Sequence, residues 1–292
     1  MKHLFLCLLF WGSMFCAQTL SASANDTNYT DPQGRKQGFW IERISANDYH
    51  GNYVDGLKEG TWKTYPIGNL LITAVENYLH GKRHGLFVSI DRSGFVFREE
   101  AYVNDTLHGL RRTFFTGGKP KTEEMFDKGK LTGIKRVYYS NGKKQEESNY
   151  KNGQRNGLCK WFFDDGVLNT ESNYINGSLN GDQVSYYKNK QINSKVKYVN
   201  NEMDGEYLEY YENGKLKVKG MYKMGQMVGV WTEYHPNEKP KAVGQYLNNL
   251  KEGMWTEYDE NGKKTGKVKY VRGAGPGDVP ASPKADPLPS KN

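Results

Sequence analysis

Beyond residue 37 the aromatic and apolar residues of this chain stand at set distances from one recurring glycine. That glycine falls at Gly38, Gly60, Gly85, Gly109, Gly133, Gly157, Gly181, Gly205, Gly229 and Gly253, in steps of 22, 25 and then 24 residues. Five residues after it comes an aromatic in eight of the ten units: Tyr65, Phe114, Tyr138, Phe162, Tyr186, Tyr210, Tyr234 and Tyr258. Arg43 and Ile90 are the exceptions. A turn signal such as Asn141-Gly142, Asn213-Gly214 or Asn261-Gly262 follows three residues later. Each unit then carries a second aromatic, as at Tyr150, Tyr174, Tyr198, Tyr222, Tyr246 and Tyr270, and a second turn. Two short runs joined by Asn-Gly or Asp-Gly are the signature of a β-hairpin, because both turn positions of a tight two-residue loop need positive φ. The spacing therefore predicts a strand, a tight turn, a second strand and a looser turn into the next unit. The register that follows sets Tyr222 opposite Gly205 and Tyr150 opposite Gly133. It also predicts that each of these rings covers the bare backbone of its glycine.

Ten such hairpins predict an all-β chain: an elongated antiparallel β-meander, a twisted single sheet of roughly 20 strands. The density of glycine and Asn-Gly, and the lack of a 3.6-residue period, exclude a helical array. Outside the array, residues 1–24 read as a signal peptide. Lys2 and His3 precede the apolar run Leu4 to Phe15, and Ala22-Ser23-Ala24 has the small-x-small form of a cleavage site. A lipoprotein anchored through Cys16 is the alternative. Residues 25–37 form a polar lead-in, 38–272 the ten-unit array, and 273–292 a proline-rich tail that reads as disordered.

Composition sharpens this picture. Aromatics make up 13% of the chain with 21 tyrosines, although only 36% of residues are hydrophobic. That combination fits short strands with half-wet faces, and not a disordered chain. The net charge of +8 is spread along the whole length, so no nucleic-acid groove is expected. Weak contact with an anionic membrane is compatible with it, through the lysines that follow the turns: Lys143, Lys144, Lys215, Lys217, Lys263 and Lys264. Cys7 and Cys16 lie in the leader, which leaves Cys159 as a single packed thiol with no disulfide partner. His84 and His108 hold the same place in adjacent units but lack a third ligand, so they read as turn histidines. "DRSGF" and "TGGKP" read as hairpin turns. No catalytic residue, metal site or cofactor is expected. The recurring glycines Gly109, Gly133, Gly157, Gly181, Gly205, Gly229 and Gly253 are structural. The candidate binding surface consists of Tyr138, Tyr186, Tyr210, Tyr234, Tyr258, Trp231 and Trp255, an aromatic row flanked by lysine and glutamate.

Units such as "GVWTEYHPNEKPKAVGQYLNN" and "GEYLEYYENGKLKVKGMYKMG" resemble the bacterial variant of the MORN repeat. Both carry its glycine and an aromatic two and five residues later. The second also has an N-G-K turn at Asn213-Gly214-Lys215 and a closing Y-x-x-G from Tyr222 to Gly225, where the first has Asn237-Glu238-Lys239 and Tyr246 to Asn249. Only His84-Gly85 and His108-Gly109 echo the His-Gly ending of the better-known MORN unit. Arg111, Lys135, Cys159 and Gln183 replace its early aromatic in the middle units. The resemblance implies a scaffold or an antitoxin-like protein. The leading expectation is a non-enzymatic, exported scaffold, periplasmic or secreted, that binds a protein partner or an envelope component. The alternatives are a carbohydrate- or cell-wall-binding array and an antitoxin or immunity protein that neutralises a toxin by binding.

Overall fold

The computed structural model describes residues 27–273, so residues 1–26 and 274–292, on which the signal-peptide, Cys16 and proline-rich-tail expectations fall, lie outside the described residues. Within them, 22 strands join in one antiparallel sheet and no helix occurs. Each strand pairs with its neighbours in sequence, which makes the sheet an open meander. In the Gly205 unit the leading strand Glu202–Tyr210 pairs with the return strand Leu216–Lys223, and that strand pairs with Gln226–Tyr234 of the next unit. Gly205 faces Tyr222 and Gly133 faces Tyr150, as the spacing predicts. The extra residue of the 25-residue step lies in the loop between Leu57–Pro66 and Ala74–Leu79, since Tyr78 faces Gly60 from one residue further on than in later units. The strand that follows is broken. Lys82–Arg83 and Gly85–Ile90 both pair with Ala74–Leu79, with His84 between them.

The two turns of the unit exchange the roles expected from sequence. Inside most hairpins the loop has three residues; the Gly38 hairpin turns on Ser45 and Ala46, and the Gly60 hairpin on residues 67–73. In Ser140-Asn141-Gly142 only the glycine has positive φ, at 88°. Gly142 N donates to Tyr139 O and Tyr139 N to Lys143 O, each at 2.8 Å. This is a turn closed by a left-handed glycine, and it shifts the register by one residue at Tyr138, which pairs with Lys144. The tight two-residue turns lie between units. At Asn152-Gly153 both residues have positive φ, 53° and 85°, and the flanking Lys151 and Gln154 pair directly. The Asn-Gly inside the unit looked like the tight turn because either loop type ends in the same glycine.

The anchor glycine recurs for a different reason from the one expected. No tyrosine ring lies where a Cβ on Gly205 or Gly133 would stand. The nearest atoms are Lys197 Cβ at 3.1 Å and Met125 Cβ at 3.9 Å, and around Gly229 and Gly253 the space is open. What the position requires is conformation. Gly205 has φ of +139°, Gly229 +68° and Gly253 +70°. Each anchor from Gly60 on sits where its strand bulges against the preceding return strand. Ser148 pairs with Cys159 but Tyr150 with Arg155, so Gly157 lies in the bulge. Bare glycines do lie under aromatic rings, one row further along. A Cβ on Gly51, Gly220 or Gly244 would stand 2.1–2.2 Å from the indole of Trp62, Trp231 or Trp255.

One face of the sheet holds the buried side chains. Its central row carries the second residue after each anchor and that residue's cross-strand partner, and neighbours in it compensate each other. Glycine sits beside tryptophan at Gly220–Trp231 and Gly244–Trp255. Val196 pairs with Tyr207, Ser148 with Cys159 and Ser172 with Gln183. In the middle units the row turns ionic. Glu124, 7% exposed, accepts from Arg111 Nε at 2.8 Å and Nη2 at 2.6 Å, and lies 3.6 Å from Lys135 Nζ. At the C-terminal end the rings form an edge-to-face zigzag. Tyr207, Tyr222, Trp231, Tyr246, Trp255 and Tyr270 follow one another at centroid distances of 5.1–6.4 Å. Contacts of this geometry stabilise by about 0.5–1.5 kcal/mol each beyond burial. They explain how a one-layer sheet can hide tryptophan.

Candidate functional site

The seven sequence-derived surface residues divide when placed on this sheet. Trp231 and Trp255 are 4% and 3% exposed and belong to the zigzag, so they are not available to a ligand. The indole was read as surface because a single sheet has no second layer to cover it. The cover comes from the neighbouring rungs. Tyr138, Tyr186, Tyr210, Tyr234 and Tyr258 are half-buried at the ends of their leading strands. Tyr138 donates to Glu123 at 2.9 Å and Tyr186 to Glu171 at 2.8 Å. Burial, with that carboxylate beside it, pushes the Tyr186 hydroxyl up to about 12.

Those glutamates belong to the most regular feature of the outer face. Glu99, Arg112, Glu123, Arg136, Glu147, Lys160 and Glu171 are successive cross-strand partners over seven strands, with alternating charge. Arg112 lies 2.6 Å from Glu99, and Arg136 lies 3.7 Å from Glu123 and 3.2 Å from Glu147. A hydrogen bond from Lys144, with a further one from Arg136, holds the Glu147 carboxyl below its ordinary range despite partial burial. Two residues nearer the anchors runs a parallel apolar row of Leu86, Leu110, Met125, Ile134 and Leu158, each 36–48% exposed. Residues two apart on a strand share a face, so the apolar and charged rows lie side by side. Neither row is visible in a single unit, because each unit contributes one or two members.

A second arrangement, also unforeseen, sits two residues before certain anchors. There a cation projects over the rings. Lys58 Nζ lies 4.1 Å from the Trp62 centroid and 5.0 Å from that of Tyr78. Lys251 Nζ stands 4.5 Å from Trp255 and 5.1 Å from Tyr270. Arg155 is set among Tyr150, Trp161 and Tyr174 at 5.4–5.9 Å while donating to Glu146 at 2.9 Å. These cations close the aromatic groups from within, each contact being worth about 0.5–2 kcal/mol.

The remaining candidates resolve into structural roles. Cys159 is fully buried, and burial raises its thiol above the ordinary range, which leaves little thiolate. His108 Nδ1 lies 3.3 Å from Asp127, and the His84 backbone N donates to Asn77 O at 2.8 Å. Among the described residues no group of three or more histidine, cysteine, aspartate or glutamate side chains is placed to hold a metal ion. The post-turn lysines are largely engaged: Lys143 with Asp165 O, Lys144 with Glu147, Lys215 with Glu238 and Lys217 with Glu209. "DRSGF" and "TGGKP" form hairpin loops of the three-residue kind, closed by Gly94 N to Asp91 O and Gly118 N to Phe115 O.

With the hairpins, bulges and turns placed, comparison with known proteins has a geometric counterpart. The MORN repeat variant family matches residues 131–152, 155–176, 179–200, 203–224, 227–248 and 251–272. Over residues 131–272 the chain is thus similar to a tandem array of MORN-variant repeats. Each matched MORN window opens two residues before an anchor glycine, and its boundaries fall in the tight inter-unit turns. The matches cover under half of the chain. The units from Gly38 to Gly109 lie outside them, yet they share the pairing and the positive-φ anchors of the MORN repeats. No curated protein matches the chain. A solved structure described as "Crystal structure of GtfA/B complex bound to UDP and GlcNAc" is similar at 12% identity, covering 39% of this chain and 23% of that one. Its TM-score of 0.18 carries no argument for the MORN array.

Proposed function

We propose that this protein is an exported, non-enzymatic scaffold whose outer sheet face docks a protein partner, periplasmic or at the cell surface. The observation that supports this reading is the apolar row of Leu86, Leu110, Met125, Ile134 and Leu158 running beside the alternating charged row. The row runs from Leu86 through Ala101, Leu110 and Met125 to Ile134, with Asn149 between Ile134 and Leu158. Protein surfaces seldom carry an exposed apolar row of this kind without use, and a polar border is what a protein interface needs around its apolar centre. Repetition suits it to a long, linear contact. The early apolar run of the leader supports export. The antitoxin-like role is the same chemistry with a toxin as the partner.

The test is crosslinking from photoreactive residues placed at Leu110 and Ile134 in the native cell. The expected result is one dominant protein adduct, absent when the crosslinker stands in the buried row, and lost in the double variant Leu110→Asp, Ile134→Asp. Adducts of equal yield from both faces would contradict the reading.

A further inference from the structure

A cleft of about 370 Å³ opens at the loop-side rim of the sheet, between the Gly157, Gly181 and Gly205 units. Its origin is a single small residue. Ser185, the fourth residue after its anchor, corresponds to Trp161 one unit earlier and Glu209 one unit later. Trp161 is 4% exposed and fills its own site; Glu209 fills its site together with Lys217, 2.6 Å away. Ser185 brings only a hydroxyl, paired with that of Ser194 at 2.6 Å, and the space above it stays open. The floor is a fixed polar group, since Ser185 is 7% exposed and also donates to Asn193 at 3.2 Å.

The walls decide what would fit. Phe163 and Tyr187 supply aromatic surface, the Tyr187 hydroxyl being committed to Tyr210 O, while Tyr186 turns its hydroxyl to Glu171 on the other face. They offer ring rather than charge. Asn169 and Asn193 supply amides whose Oδ1 atoms already accept from Thr170 and Ser185, so they meet a ligand through their NH2 groups. Lys188 and Glu212 stand at the rim with opposite charge, so neither an anion nor a cation is favoured as a whole. The size lies at the lower end of the roughly 300–1,000 Å³ typical of small-molecule sites. A molecule with an apolar C–H face and closely spaced hydroxyls, each donor and acceptor, satisfies all of these walls together.

We propose that the cleft over Ser185 binds a neutral sugar ring, either alone or as the end of a short oligosaccharide. The ring lies against Phe163 and Tyr187, and its hydroxyls meet Asn169, Asn193 and the serine pair. The site goes beyond the scaffold reading and shares no lining residue with the outer-face rows, so either can fail without the other.

The test is ligand-observed saturation-transfer NMR on the full chain with a panel of neutral mono- and disaccharides, and adenosine as an aromatic competitor. Binding of at least one neutral sugar is expected. Ser185→Trp, which copies the preceding unit, should abolish it, and Asn169→Ala should weaken it about tenfold. The Leu110→Asp, Ile134→Asp variant should bind sugar unchanged. Circular dichroism of Ser185→Trp checks that the sheet persists, and Asn169→Ala carries the test if it does not. No sugar signal, a signal that survives both cleft variants, or adenosine binding in place of every sugar would each overturn the proposal.

Discussion

At the scale of single residues, glycine has two separate jobs in this chain, and substitution separates them. At Gly244 a methyl group would stand 2.1 Å from the Trp255 indole, so Gly244→Ala overpacks the central row. It is expected to cost about 1–3 kcal/mol in denaturant unfolding. Gly266 occupies a strand without positive φ, where the nearest atom to a Cβ is Glu257 Oε2 at 3.6 Å. Gly266→Ala should therefore change stability by less than about 0.5 kcal/mol. Equal losses at the two positions would refute the packing argument. The period, the hairpins and the facing of Gly205 by Tyr222 were legible in the sequence, because positive φ and a fixed register restrict residue choice at single positions. The identity of the ring-covered glycine was not legible. It depends on a two-residue bulge between strands of different units, and nothing local marks a bulge. The Ser185 cleft was hidden for a related reason, since it shows only when one unit is compared with its neighbours.

At the scale of the strand and its neighbours, electrostatics and tyrosine burial make two further predictions. Arg136 lies between Glu123 and Glu147. Arg136→Glu would set three acidic residues in a row and should destabilise by about 0.5–1 kcal/mol at low salt. The loss should shrink as salt is added and be partly restored by Glu147→Lys. A loss independent of salt would point to packing instead. The buried tyrosines predict an alkaline limit. Burial lifts the hydroxyl of Tyr174 from 10.0 to about 12, and burial with Tyr198 and Tyr246 nearby lifts that of Tyr222. A hydroxyl whose folded value is raised contributes stability that is complete below its unfolded value and is lost as pH climbs through the folded one. Stability should hold to about pH 10 and fall between 10 and 12, with tyrosinate absorbance and loss of sheet signal rising together. Early, complete tyrosine titration with the sheet intact would contradict the burial described here. The alternation of charge behind the first prediction could have been found in the sequence by aligning the third and fourteenth residues after each anchor. Its significance needed the register to be known across units as well as within them.

At the scale of the whole molecule, stability should be a sum of neighbour terms, because every strand pairs only with those next to it in the meander. Trp62→Ala and Trp231→Ala, far apart in the sheet, should each cost about 3–5 kcal/mol and add. Trp231→Ala and Trp255→Ala share Tyr246 between their rings and should fall short of additivity. The same linear architecture is what gives surface rows their meaning, since one residue per unit becomes a stripe only if the units stand in line. Small-angle X-ray scattering from the full chain tests that alignment most directly. With roughly 20 strands spaced about 4.8 Å apart, an elongated particle is expected, with a radius of gyration of about 27 Å and a pair-distance distribution skewed to long distances. A symmetric distribution with a radius near the roughly 19 Å of a compact chain of this length would contradict it.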